Sequence, residues 1–454
     1  MQQSVSLKRI LGGALVRGTL ILTIAGFLTR ILGFFYRIWL SGAMSTEYLG
    51  IYQMVFPVYG VCFTVYASGI QTAISKLVAE RRTSARRILS CGLSLSLLLA
   101  LLLSILLYET APLLAEHFLF ERRAAAALRV LSFIFPFCSI TACLNGYYYG
   151  QSKSFVPAFT QLLEQIVRIA FVCALFSLLQ TKALSCELAV LGLIAGEAAS
   201  ALFHTVFFLL SQRSAQRQSS HRSPVSPVFR EVTLLAAPLS FNRLIVSLLH
   251  SLEASMVPFL FRKSGLTAAA ALSHYGIING MSMPFVLFPS AITNALAVLL
   301  LPAVSGASSG NEEKKLRTTI RIAVSFSLLL GLSSTVLFLL SGHRLGMLVF
   351  REPLAGSYLR TLAWLCPFLY LSSTLSSILN GLGKPFQTFL NSVLGMCVKI
   401  LVILFFVPRL GIPGYFFSLL SGQLVLTLLD ALLLSRLLRE RASEQRGTPS
   451  STPQ

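Results

Sequence analysis

Five cations, Arg30, Arg37, Arg168, Arg243 and Lys399, and four acids, Glu164, Glu197, Glu253 and Asp430, stand inside long apolar runs of a 454-residue chain. Each central Arg or Lys in a membrane costs about 2.5–3.5 kcal/mol on insertion scales. Side chains held at that cost line a wet cavity, pair with an opposite charge, or snorkel to the interface. In the first run Gly26, Arg30, Gly33 and Arg37 follow at intervals of four, three and four, which is one stripe of a helix. Two guanidinium groups alternating with glycines offer a cationic face that a ligand or another backbone can approach closely. A planar, five-donor guanidinium also suits a diphosphate better than an ammonium does. The competing account of the stripe is helix packing, with each arginine paired to an acid on a neighbour. Snorkelling competes best at Arg37, near the end of its run, and least at Arg168 and Lys399.

The other charges sort by spacing. Glu164 and Arg168 are four apart and neutralise one another on one helix face, which leaves Arg30, Arg243 and Lys399 uncompensated. Arg243, His250 and Glu253 share a face, with Asn242 beside them, so His250 is either a proton relay or a hydrogen-bond partner of Glu253. Glu197 and Asp430 are candidates for a coupling-cation site or for salt bridges to the arginines. Pro57, Pro136, Pro157, Pro238, Pro284, Pro289 and Pro367 also fall within runs, which predicts kinks in the second and especially the eighth.

Membrane helices must position these side chains. The chain is 55% hydrophobic and only 12% charged, with mean hydropathy +0.76, where a soluble domain carries about 25% charged residues. Its net charge of +21 suits nucleic acid or an anionic membrane. The basic residues come in small clusters between apolar runs instead of on one soluble domain, so membrane lipid is the partner and nucleic acid is not. Of the eight cysteines only Cys186 falls in a predicted loop, and no disulfide framework is implied. Without CxxC, HExxH or a Gly-rich loop ending in Gly-Lys-Ser/Thr, neither zinc chemistry nor ATP hydrolysis is expected. The reading is a secondary transporter with no catalytic residue, no metal and no cofactor, driven by Na⁺ or H⁺ coupling, membrane potential or consumption of its product. The potential supplies about 2.3 kcal/mol per charge per 100 mV.

Twelve apolar runs are long enough to span: about 18–40, 48–78, 88–108, 126–148, 155–180, 188–211, 232–260, 271–302, 318–340, 358–381, 386–407 and 412–437. Lys8, Arg9 and Arg17 precede the first, which is too long for a signal peptide and reads as an uncleaved span. Lys and Arg number 22 on the side holding both termini and 10 on the other. The positive-inside rule then makes a multi-pass protein of the cytoplasmic membrane with both termini cytoplasmic.

A polar, basic stretch divides the runs six and six. The expected organisation is an N-terminal lobe over 1–215, a cytoplasmic linker over 216–230, a C-terminal lobe over 231–440 and a disordered tail over 441–454. Leu144-Asn145-Gly146 recurs as Leu379-Asn380-Gly381. After a four-residue deletion the register places Phe155 opposite Phe386 and Arg168 opposite Lys399, while Arg30 faces Arg243. The fold class is therefore all-α: two pseudo-symmetric six-helix lobes of a kind whose rocking gives alternating access.

Three segments carry a family resemblance: the run from Gly18 through Thr29-Arg30-Ile31-Leu32-Gly33 to Arg37, the segment Gly50–Gly60, and Ser68–Glu80. They resemble the stage V sporulation protein B group of the multidrug/oligosaccharidyl-lipid/polysaccharide (MOP) exporter superfamily, which also includes lipid II flippases and MATE exporters. The likeness extends around Asn145 and Arg168 and is topological in the second half. It implies a flippase for an anionic, undecaprenyl-diphosphate-linked saccharide used in peptidoglycan or spore cortex. On that basis Arg30 and Arg37 are carried over as head-group ligands, with Arg243, Arg168, Lys399 and Asn145 as further candidates. Two further C-terminal helices that the resemblance associates with a lipid-tail groove do not follow the twelfth run. The alternatives are a MATE-type multidrug cation antiporter, which would present acids to its substrate, and a non-transporting scaffold for cell-wall synthesis enzymes, whose buried charges would all be paired.

Overall fold

In lipid a backbone satisfies its polar groups only as a helix or a closed barrel. The computed structural model describes residues 14–81, 83–179, 184–214, 225–309 and 312–447, all helices and connections with no strand among them. Lys8, Arg9, most of the 216–230 linker and the tail beyond 447 lie outside the described residues. Helix α1 (Ala14–Ala43) is followed by α2 (Thr46–Phe63) and α3 (Gly69–Glu80), joined through a π-helical turn at Thr64–Ser68. Next come α4 (Ala85–Leu113), ending in a π turn at Leu114–Phe118, then α5 (Ala124–Ser132), α6 (Phe135–Gly150), α7 (Phe155–Leu179) and α8 (Cys186–Ser214). After the linker run α9 (Val225–Lys263), α10 (Ala268–Gly276), a π turn at Ile277–Ser282, α11 (Met283–Leu287) and α12 (Ser290–Ser309). The remainder is α13 (Glu313–Leu345) with a π turn at Gly346–Phe350, α14 (Pro353–Leu362), α15 (Cys366–Gly381), α16 (Pro385–Leu410) and α17 (Ile412–Gly447). Among the described residues ten helices are long and apolar enough to cross a membrane, twelve if each of two bent pairs is one span, and these coincide with the twelve apolar runs. The last helix continues to Gly447, into the segment expected to be tail.

Proline places most of the breaks. The α5–α6 pair bends by 48°, and the chain bends by 55° between Leu287 and Ser290, where Pro289 sits. Pro136 and Pro367 each lie in the first turn of the helix after a break, where a missing N–H costs nothing. Pro57, by contrast, lies inside an unbroken α2. The irregularity of that rod comes later, where Thr64 Oγ1 donates to the Gly60 carbonyl at 2.7 Å at the start of the π turn. Before α5, Arg123 donates to Glu121 at 2.7 Å and to Glu47 of α2 at 2.8 Å, and these bonds hold its guanidinium above the ordinary arginine pKa.

Backbone packing groups the chain into two compact units, Met1–Pro284 and Phe285–Gln454. In the first, Ile70, Ile74, Leu89, Leu144, Tyr148 and Val232 close one core. In the second, Leu300, Val304, Leu316, Ile320, Leu379 and Leu434 close another. Although α9 and α10 follow the linker in sequence, they pack within the first unit. Arg243 of α9 donates to the Ser68 carbonyl at 3.0 Å, and the Thr46 and Ser273 hydroxyls of α2 and α10 bond at 3.1 Å. Apolar bands remain uncovered: Leu98, Leu101, Leu102, Ile105 and Leu106 on α4 are 46–64% exposed, and Leu329, Leu332, Val336, Leu337 and Leu340 on α13 are 55–80% exposed. Such bands would drive aggregation in water and suit a hydrocarbon surround.

The repeat read from Leu-Asn-Gly extends to contacts. Leu144 and Leu379 each sit in the core of their unit. Five residues earlier in each half, Ser139 Oγ bonds Ser96 Oγ at 2.8 Å and Thr374 Oγ1 bonds Ser327 Oγ at 2.6 Å. The four-residue deletion pairs Ser152 with Gly383, and both are left-handed, at φ +59° and +78°. A Cβ on Gly196 of α8 would stand 2.7 Å from the Glu164 carbonyl of α7, and one on Gly422 of α17 would stand 2.9 Å from the Gly395 carbonyl of α16. The register that pairs Arg168 with Lys399 also pairs Glu164 with Gly395. Continued from these glycines, it pairs Glu197 with Gln423 and His204 with Asp430. His204 Nε2 lies 3.2 Å from Thr160 Oγ1, and Asp430 Oδ1 accepts from Asn391 at 2.8 Å, Thr160 and Asn391 being repeat partners as well. The offset pairing Arg30 with Arg243 likewise pairs Thr64 with Ile277, the first residues of two π turns.

Candidate functional site

The first unit holds a polar cavity of about 190 Å³ between α2, α3, α6, α7 and α8, its wall including Tyr59, Gln71, Thr141, Asn145, Glu164 and Glu197. Thr141 and Asn145 are four apart on α6 and therefore share a face. Glu164 reaches the wall from α7 and Glu197 from α8, two helices that approach closely because Gly196 has no side chain. Arg168, one turn beyond Glu164, pairs with its carboxylate and donates from Nη1 to Gln165 at 3.3 Å. Both side chains of that pair are about one-fifth exposed, at 18% and 20%. Glu197 lies beside Cys138 and Thr141. Its Oε2, Thr141 Oγ1, Asn145 Oδ1 and the Nε of Arg168 are buried without a hydrogen-bond partner. With Glu164 paired to Arg168, the cavity wall keeps the Glu197 carboxyl group, within electrostatic range of both, and a set of buried acceptors without a hydrogen-bond partner. Among the described residues no group of three His, Cys, Asp or Glu side chains converges as a transition-metal site would require.

The stripe on α1 divides by role. Gly33 faces Gln165 of α7, Gly26 faces open space, and Arg30 and Arg37 are exposed. Among the described residues neither arginine forms an ion pair. Arg37 lies within electrostatic range of Arg168 and Tyr52. Of the residues singled out by sequence, Asn145, Glu164, Arg168 and Glu197 thus come together in or beside one cavity, with Arg37 in electrostatic range of Arg168. Arg243 is elsewhere in the first unit, tied to Ser68. His250 Nδ1 stands 3.8 Å from Glu253 Oε2, an exposed histidine against a mostly buried acid. The second unit holds Lys399 and Asp430. Lys399 packs where Gly422 brings α17 against α16, and Asp430 is fully buried with its carboxylate accepting from Ser376 at 2.7 Å and Asn391 at 2.8 Å.

Sequence reasoning passed over Tyr59, Gln71, Thr141 and His204. Only Thr141 carried a readable signal, its helical spacing from Asn145. The others enter through contacts between helices distant in sequence.

The family model described as polysaccharide biosynthesis protein matches residues 15–308, and the MatE model matches residues 238–405. Stage V sporulation protein B of Bacillus subtilis (strain 168) is 30% identical over 93% of this chain and 84% of its own length. The chain belongs to the polysaccharide biosynthesis protein family. The lipid II flippase MurJ of the same organism is 22% identical over 93% of this chain and 82% of its own. A solved structure described as the inward-facing conformation of a multidrug resistance MATE family transporter of the MOP superfamily superposes with a TM-score of 0.70. That match is 15% identical and covers 93% of this chain and 96% of the other. At that identity the likeness speaks for the fold alone. Family and fold together make this a multi-pass membrane protein of the MOP superfamily, in the group related to stage V sporulation protein B and the lipid II flippase.

Proposed function

We propose that the chain is a flippase that moves an undecaprenyl-diphosphate-linked saccharide, a peptidoglycan or cortex precursor, outward across the cytoplasmic membrane by alternating access. Kinship with stage V sporulation protein B and with the lipid II flippase supports this reading. The observation that carries it is the exposed guanidinium pair Arg30 and Arg37 on α1, unpaired among the described residues and backed by Arg168. Guanidinium forks grip phosphate oxygens bidentately. No bond is made or broken; the head group is held, carried across and released, with Na⁺ or H⁺ coupling or the membrane potential supplying direction.

The test is reconstitution in liposomes with a fluorescent undecaprenyl-diphosphate disaccharide-pentapeptide and an impermeant quencher. Arg30→Ala and Arg37→Ala are each expected to slow lipid movement about tenfold or more, the worth of one charge-assisted hydrogen bond, while leaving the unfolding midpoint unchanged.

A second reading, export of an organic cation, is favoured by one observation: Glu164 and Glu197 both line the cavity, and no cationic side chain does. A cationic dye that crosses the same liposomes while the lipid stays put would select it.

A further inference from the structure

The two halves of the chain treat equivalent polar positions differently. In the second unit Ser376 donates to Asp430 at 2.7 Å, Asn380 Oδ1 accepts from Thr388 at 2.8 Å, and Gln423 donates to Ser372 at 2.5 Å. Their repeat partners in the first unit are Thr141, Asn145 and Glu197. Each of these residues lines one cavity and holds a buried oxygen without a hydrogen-bond partner, and Thr141 as a whole is only 8% exposed. A buried acceptor left unpaired costs about 1–3 kcal/mol, and more when it is charged. One half closes these positions with its own side chains; the other leaves three acceptors, one of them on a carboxyl group, without that closure.

We infer that this cavity binds a primary ammonium group, carried on the head group of the transported substrate. An ammonium has three N–H donors and one positive charge, which suits three acceptors of which one belongs to a carboxyl group. The aromatic rings of Tyr59, Phe63 and Tyr149 also line the cavity and favour a cation at their faces. A space of about 190 Å³ with aromatic walls accommodates an aminoalkyl end, whereas a bare alkali ion needs a tight shell of oxygens. The source of the ammonium rests on the flippase reading, since the anionic diphosphate would be held by arginines and the amine by Glu197, on one zwitterionic head group.

The experiment measures thermal unfolding of the detergent-purified full chain in n-butylammonium chloride, tetramethylammonium chloride and sodium chloride at equal ionic strength. Linkage predicts that a ligand bound by the folded state raises the midpoint. The midpoint should rise with butylammonium beyond its value in the other two salts, and Glu197→Gln should abolish that difference. Glu197→Gln copies the Gln423 of the second half, so the variant is expected to fold; Asn145→Leu, which removes a neutral acceptor, serves as the second variant. Equal shifts in sodium chloride, equal shifts in tetramethylammonium, which has no N–H, or an undiminished shift in both variants would each overturn the inference. The measurement needs no lipid substrate, so failure to flip the fluorescent lipid would remove the flippase reading without touching this result. If the lipid does move, acetylating the free amine of its peptide should slow movement in the wild type and make no difference in Glu197→Gln.

Discussion

Arg168 and Glu164 hold each other at a depth where neither would be tolerated alone. Truncating one partner of a buried pair strands the other and typically costs about 3–5 kcal/mol, while replacing both with neutral groups costs far less. Arg168→Met should therefore lower stability steeply, and Glu164→Gln/Arg168→Met should recover most of the loss, as read by unfolding midpoints in detergent. This pair was legible from a spacing of four residues. The neighbouring cluster of Glu197, Thr141 and Asn145 was not, because it joins α6 to α8 across more than fifty positions of sequence, and no local pattern encodes such a meeting. Asp430 shows the opposite limit: a lone intramembrane acid invites a functional reading, yet here Ser376 and Asn391 satisfy it from within the protein.

The helices owe their placement to apolar run length and proline, both readable directly, and their contacts to small residues whose partners are not. Gly196 and Gly422 mark where α8 meets α7 and α17 meets α16. Leucine at either position must force the backbones apart, so Gly196→Leu and Gly422→Leu should each destabilise by about 1–3 kcal/mol or more. Gly26→Leu, in open space on α1, should leave the midpoint in place. The hydroxyl pairs offer a gentler comparison of the two halves. Ser139→Ala removes one buried hydrogen bond and Thr374→Val two, since Thr374 Oγ1 also donates to the Tyr370 carbonyl at 3.2 Å; at about 1 kcal/mol each, losses in that proportion would show that the repeat is energetic as well as geometric. A tripeptide, Leu-Asn-Gly, was enough to set this register; the π turns that interrupt it left no mark in composition or period.

For the molecule as a whole, the apolar runs match the ten to twelve candidate spans among the described residues, because lipid leaves the backbone no other way to satisfy itself. The unequal distribution of Lys and Arg, 22 against 10, predicts that both termini are cytoplasmic. A C-terminal green fluorescent protein should accordingly fluoresce, and an alkaline phosphatase fused at the same place should stay inactive, in bacterial cells. Function was legible only down to its class, since span counts do not reveal which acids stay unpaired. The π turn at Thr64–Ser68 has a consequence for how such a chain changes over time. A π turn accommodates one surplus residue, so deleting a single amino acid there would restore an ordinary helix instead of breaking it. Because the turn already absorbs the surplus residue, everything after the deletion on that rod would keep nearly the same face, and Gln71 would stay on the cavity wall it now lines. The shortened protein would keep its hydropathy and the facing of its pocket wall and would lose only the local widening at Thr64–Ser68, so one codon could be gained or lost at this point between relatives whose membrane topology and pocket stay alike.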